Sequence, residues 1–157
     1  MNIADLITQE RVEVRHDLRS KKRVLEDVSK LLSQASLDLA ENEVFTSLVN
    51  REKLGSTGLG AGVAIPHGRV RGLEQSIGAF FRLTQGIDYE SNDGQPADLV
   101  FGLIVPVDCT QEHLDTLRTL AEMFTDDDFT AKLRKAESNQ ELYELLAAYT
   151  PPVAEAS

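Results

Sequence analysis

The chain has 157 residues, 41% of them hydrophobic and 27% charged, the proportions of a single domain large enough to bury a substantial core. No apolar run nears the roughly 20 residues that cross a bilayer as a helix, and residues 1–6 lack the basic and long apolar regions of a signal peptide, so a cytoplasmic protein without membrane insertion is expected. The formal net charge is −10, with 11 Lys/Arg against 11 Asp/Glu in residues 1–75 and 5 against 15 in residues 76–157, a balance that argues against nucleic-acid binding, which needs basic surface.

Residues 11–15 alternate polar and apolar, the period of a half-buried strand, here expected at a sheet edge. Ser20 is placed to cap a helix whose Val24, Leu25, Val28, Leu31 and Leu32 recur at the spacing of one buried face. Lys21, Lys22 and Arg23 then fall in its first turn, where the helix dipole disfavours cations, and are read as a solvated face. A second helix fits residues 41–53, with Val44, Phe45, Leu48 and Val49 turned inward and Gly55 as a positive-φ stop.

A flexible glycine-rich run follows, Gly55-Ser56-Thr57-Gly58-Leu59-Gly60-Ala61-Gly62, and leads into a short apolar strand, Val63-Ala64-Ile65. Proline stops that strand and presents His67 between itself and Gly68. Gly68 leaves one side of the imidazole bare, so that a large partner can approach. Arg51, Arg69 and Arg71 flank the stretch, and guanidinium forks suit phosphate oxygens. The glycines follow a helix and precede a strand, the reverse of a dinucleotide-binding loop, so nucleotide binding is not expected.

Downstream, residues 76–84 read as an apolar strand and Leu99–Val105 as a central strand covered on both faces, ended by Pro106. Thr110 is a reasonable N-cap for a helix with Leu114, Leu117, Leu120, Ala121 and Phe124 on one face. That start puts His113 in the first turn, where free backbone N–H groups favour an anion. Asp126-Asp127-Asp128 opens a short helix and Ser138-Asn139-Gln140-Glu141 is a capping-box pattern opening the last. Thr150-Pro151-Pro152 ends it, and residues 151–157 are expected to be a disordered tail. The single Cys109 cannot form an internal disulfide and is read as inert, and the spacings of His16, His67 and His113 fit no zinc pattern.

Arg51-Glu52-Lys53-Leu54-Gly55-Ser56-Thr57-Gly58, Gly62-Val63-Ala64-Ile65-Pro66-His67-Gly68-Arg69, and the later Asp98-Leu99-Val100-Phe101-Gly102-Leu103-Ile104-Val105-Pro106 with His113-Leu114 carry a family likeness. Together they resemble the enzyme IIA proteins of the bacterial phosphotransferase system, nearest to the nitrogen-regulatory member of the fructose/mannitol class. The likeness runs from about Ile3 to Tyr149. Strands interspersed with helices already point to a single α/β domain over residues 1–150, and the resemblance implies the same: a mixed β-sheet with helices packed on both faces.

The resemblance further implies that His67 accepts a phosphoryl group from a histidine-containing phosphocarrier protein. Attack would come from the ε nitrogen, with the δ nitrogen tethered to a backbone carbonyl. His113 would stabilise the phosphoryl group and Arg51 would help to bind it, with neither metal nor cofactor. The string at residues 51–58 favours a regulator whose phosphorylation state is read by target proteins, kinases or transporters among them. The alternative is a sugar-specific transport enzyme IIA that passes phosphate to a cysteine-bearing enzyme IIB.

Overall fold

The computed structural model describes residues 2–108 and 111–150. Strand β1 (Val12–Arg15) precedes helices α1 (Lys21–Ser33) and α2 (Glu41–Glu52); three short strands follow, β2 (Gly58–Gly60), β3 (Val63–Ala64) and β4 (His67–Val70). Two long strands, β5 (Ile77–Ile87) and β6 (Ala97–Pro106), lead to α3 (Gln111–Thr125), α4 (Asp127–Lys135) and α5 (Asn139–Ala148). Cys109, the proposed cap Thr110 and the tail 151–157 lie outside the described residues.

The sheet is mixed and runs β1-β5-β6-β3-β2, with β4 also paired to β6. Strand β6 is its axis: antiparallel to β5, and parallel to β3 at Val63↔Leu99 and to β4 at His67↔Leu103. Alternation along β6 divides the interior in two. Leu99, Phe101, Leu103 and Val105 join a core with Leu120, Met123, Phe124, Leu133, Leu142 and Leu146 of α3, α4 and α5, while Val100 and Ile104 join one with Val24, Val28, Leu32, Val44 and Leu48 of α1 and α2. Helices therefore cover both faces, and the near-continuous apolar run of β6 follows from having no solvent side. Each fully buried Leu, Val or Phe in these layers contributes roughly 1.5–3 kcal/mol.

The caps read at Ser20 and Ser138 form: Ser20 accepts from the backbone N–H of Arg23 and Ser138 from that of Glu141. Asp126, read from the sequence only as part of an acidic helix start, caps α4 by accepting from the backbone N–H of Phe129. Among the described residues strand β1 is at the sheet edge, pairing only with β5.

Three expectations are corrected. The glycine-rich run is not a flexible lead but contains β2, which forms a hairpin with β3 through Ala61 and Gly62. Both turn residues have positive φ, 55° and 84°, the requirement of a tight hairpin that follows the twist of its strands. On α3 the buried face is His113, Thr116, Leu120, Met123 and Phe124: Leu120 and Phe124 of the expected stripe are on it and Leu117 packs partly against it, but Leu114 is 56% exposed. Two polar residues on the inner face hid the true phase: Thr116 satisfies its hydroxyl within the helix by donating to the Glu112 carbonyl at 2.8 Å. Finally, Lys21 is not solvated, because its ammonium pairs with Glu52 at 2.9 Å, whereas Lys22 remains largely exposed.

Candidate functional site

His67 owes its setting to one broken strand. Strands β3 and β4 run along the same side of β6, and Pro66 between them has no N–H to give the ladder. Its carbonyl still accepts from Leu103 N at 2.9 Å, so the chain stays registered on β6. The Ile65 carbonyl accepts instead from the His67 ring, with Nδ1 2.7 Å away. A carbonyl oxygen can only accept, so Nδ1 carries the proton and Nε2 keeps the lone pair. His67 thus opens β4 as a partly buried side chain with its tautomer set by the backbone.

Gly68 is glycine for a reason other than partner access. A Cβ there would fall 2.2 Å from Ser47 Oγ and 3.1 Å from the Ser47 backbone, so α2 lies directly against β4. The Ser47 hydroxyl donates to the Arg69 carbonyl at 2.7 Å, tying the two elements together.

His113, in the first turn of α3, is 9% exposed rather than a surface residue. Its ring lies against that of His67, with centroids 5.6 Å apart and planes tilted by 48°, and its Nδ1 is buried with no hydrogen-bond partner among the described residues. Both rings titrate below the ordinary imidazole value. For His67 burial is the main cause, opposed by the Ile65 carbonyl, with the Arg51 charge lowering and that of Glu52 raising it. For His113 burial leads again, followed by the charges of His67 and Arg69.

An open cleft of about 850 Å³ holds His67 and His113 and is lined also by Arg51, Arg69, Arg71 and Asn50. Arg51, on the last turn of α2, donates from Nη1 to the Gly55 carbonyl at 2.9 Å. All three residues singled out in the sequence, His67, His113 and Arg51, thus meet in one cleft. Among the described residues no group of three His, Cys, Asp or Glu side chains is placed to hold a metal ion, and no helix is long and apolar enough to cross a membrane.

Two contributions to the site escaped the sequence reading. One is Ser47 against Gly68, which nothing in the spacing of α2 announces. The other is a buried cluster of Lys21, Glu52, Thr57 and Tyr89 beneath the loop that follows α2. Its only signal was the presence of Glu52 and Thr57 inside the string at 51–58 that carries the family likeness.

The family model described as the phosphoenolpyruvate-dependent sugar phosphotransferase system, EIIA 2, matches residues 5–149. A nitrogen regulatory protein of Bradyrhizobium diazoefficiens is 42% identical over 149 residues, covering 94% of this chain and 95% of that protein. The crystal structure of the nitrogen regulatory protein IIA-Ntr from Neisseria meningitidis superposes with a TM-score of 0.85 at 40% identity, over 92% of this chain and 98% of that one. The mannitol IIA protein of Escherichia coli shares the fold, with a TM-score of 0.74 at 23% identity over 90% of this chain and 99% of that one.

Proposed function

The chain belongs to the phosphoenolpyruvate-dependent sugar phosphotransferase system EIIA 2 family, and from that premise we propose that it accepts a phosphoryl group on Nε2 of His67 from a histidine phosphocarrier protein. The observation that carries this is the Nδ1 contact to the Ile65 carbonyl at 2.7 Å, which leaves Nε2 as the free nucleophile of a ring that lies beside His113 in an open cleft. Residues 1–150 act as one phosphocarrier domain in the cytoplasm.

The step balances without a metal or a cofactor. The Nε2 lone pair forms a P–N bond as the donor's P–N bond breaks, and the electron pair returns to the donor imidazole. The donor ring, protonated on its other nitrogen, leaves neutral, and the His67 proton stays on Nδ1, donated to the Ile65 carbonyl. Transfer of this kind depends on alignment and on charge stabilisation. Burial, which favours neutral His67, keeps the nucleophile available at neutral pH. His113 and Arg51 supply the donors for the phosphoryl oxygens.

The likeness to nitrogen regulatory proteins supports a regulator whose targets respond to the state of His67. Phosphorylation adds roughly 1.5–2 negative charges in a cleft edged by arginines, enough to remake an interface. The test is incubation with a phosphorylated histidine carrier, followed by intact-mass measurement and acid treatment. One acid-labile phosphate is expected on the parent chain and none on His67→Ala; phosphate retained by that variant overturns the assignment. A regulator should then keep its phosphate when a cysteine-bearing enzyme IIB is added.

A further inference from the structure

Glu52 is the last residue of α2, next in sequence to Arg51, and its side chain is only 6% exposed. Four donors reach its carboxylate. Lys21 Nζ lies 2.9 Å from Oε2, the Thr57 backbone N–H donates to Oε2 at 3.1 Å, the Tyr89 hydroxyl donates to Oε1 at 2.9 Å, and the Thr57 hydroxyl donates to Oε1 as well. This fills the capacity of an ionised carboxylate. The donors come from the start of α1, the segment entering β2 and the connection between β5 and β6. Lys21 Nζ also stands 4.7 Å from the centre of the Tyr89 ring.

Such a buried charge is weak as a stabiliser, because apolar groups of similar shape commonly hold a fold as well or better. What the charge does supply is a fixed position. Residues 53–57 leave the end of α2 and run to β2. Glu52 grips their far end at Thr57, while inside the same loop the Gly55 carbonyl accepts from Arg51 Nη1 at 2.9 Å. A second tie holds the same loop, since the Ser56 hydroxyl donates to the Tyr89 carbonyl at 3.0 Å. Glu52 thus governs the loop that orients the neighbouring guanidinium.

We infer that Glu52 is a positioning residue for phosphoryl transfer: its carboxylate, filled by Lys21, Thr57 and Tyr89, pins loop 53–57 so that Gly55 holds Arg51 at the His67 cleft. The inference rests on reading His67 as the phosphoryl acceptor. It separates Glu52 from the groups that touch the phosphate. Its effect must pass through Arg51.

The test compares Glu52→Gln, Arg51→Ala and the double variant in the full-length chain, with Tyr89→Phe as a milder probe that removes one donor. Two readouts are needed. The first is the ¹H–¹⁵N heteronuclear NOE of the Arg51 Nε–Hε group, which should fall in Glu52→Gln and, less steeply, in Tyr89→Phe. The second is the rate of phosphoryl acceptance, expected to fall about 10-fold in Glu52→Gln at saturating phosphorylated carrier, with the half-saturating carrier concentration unchanged. In the Arg51→Ala background the same change should alter the rate less than about 2-fold, since coupled residues are not additive.

An Arg51 group that stays as ordered in Glu52→Gln as in the parent overturns the inference, as does an undiminished rate loss in the Arg51→Ala background. If Glu52→Gln does not fold, Tyr89→Phe is expected to slow acceptance about 3-fold with a lowered Arg51 NOE, and a parental NOE in that variant overturns the inference. If the parent chain accepts no phosphate at all, the acceptor reading fails, and the Arg51 signal still decides whether Glu52 positions it.

Discussion

At His113 a ring nitrogen is buried without a partner among the described residues, a condition that costs about 1–3 kcal/mol in an ordinary protein interior. A fold selected for stability alone would place an apolar residue there, as it does further along the inner face of α3 at Leu120, Met123 and Phe124. The cost is understandable if the ring is kept for its edge on the cleft, beside His67, where a phosphoryl group would arrive. His113→Leu should therefore separate function from stability. Phosphoryl acceptance by His67 is expected to fall on the order of 10²-fold, the usual cost of losing one preorganised donor. Stability to urea should be unchanged or higher by about 1 kcal/mol. Equal acceptance rates in parent and variant would remove His113 from the site.

Among the elements, the decisive contact is that of α2 with β4. The helix brings Arg51 to the cleft and the strand brings His67, so their separation is set where Ser47 meets Gly68. Adding one methyl group at residue 68 would force Ser47 Oγ away from the Arg69 carbonyl, the 2.7 Å bond that ties the two, and push helix and strand apart by a few tenths of an ångström. Gly68→Ala is expected to cost about 1–3 kcal/mol in urea unfolding, the range for overpacking a close contact. Partial recovery is expected in the Ser47→Ala/Gly68→Ala pair. A wild-type midpoint for the single variant would mean that the contact is loose. The glycine of the Pro-His-Gly string is thus a packing device, and the access that the sequence suggested comes from the open cleft instead.

For the molecule as a whole, burying two neutral imidazoles links stability to pH. The unfolded chain takes up protons on these rings near pH 6.5, while in the folded chain both titrate lower. The unfolded state therefore binds more protons as pH drops, and by linkage the stability from this source is complete above about pH 6.5 and is lost as pH falls through the folded values. The urea midpoint should decline between pH 7.5 and 5.5, a window above the ordinary carboxylate range, and the decline should shrink in a His67→Gln/His113→Gln double variant. The same decline in both proteins would place its cause elsewhere.

The local order of the chain determined a good deal of this protein by itself. Capping residues at Ser20 and Ser138, the acidic helix start at Asp126, the edge position of β1, the doubly covered β6 and the Pro66 break that presents His67 all follow from periodicity, turn chemistry and the missing N–H of proline. The family likeness carried by the strings around His67 and His113 brought the two histidines and Arg51 into one expectation. Other features were decided only by the tertiary structure. The phase of α3 was hidden because polar His113 and Thr116 occupy its inner face, and Lys21 looked solvated because its partner Glu52 lies far along the chain. Gly68 looked like an opening because Ser47 is invisible from its neighbourhood. Each of these depends on which distant backbone packs against the residue, a quantity that no local spacing contains.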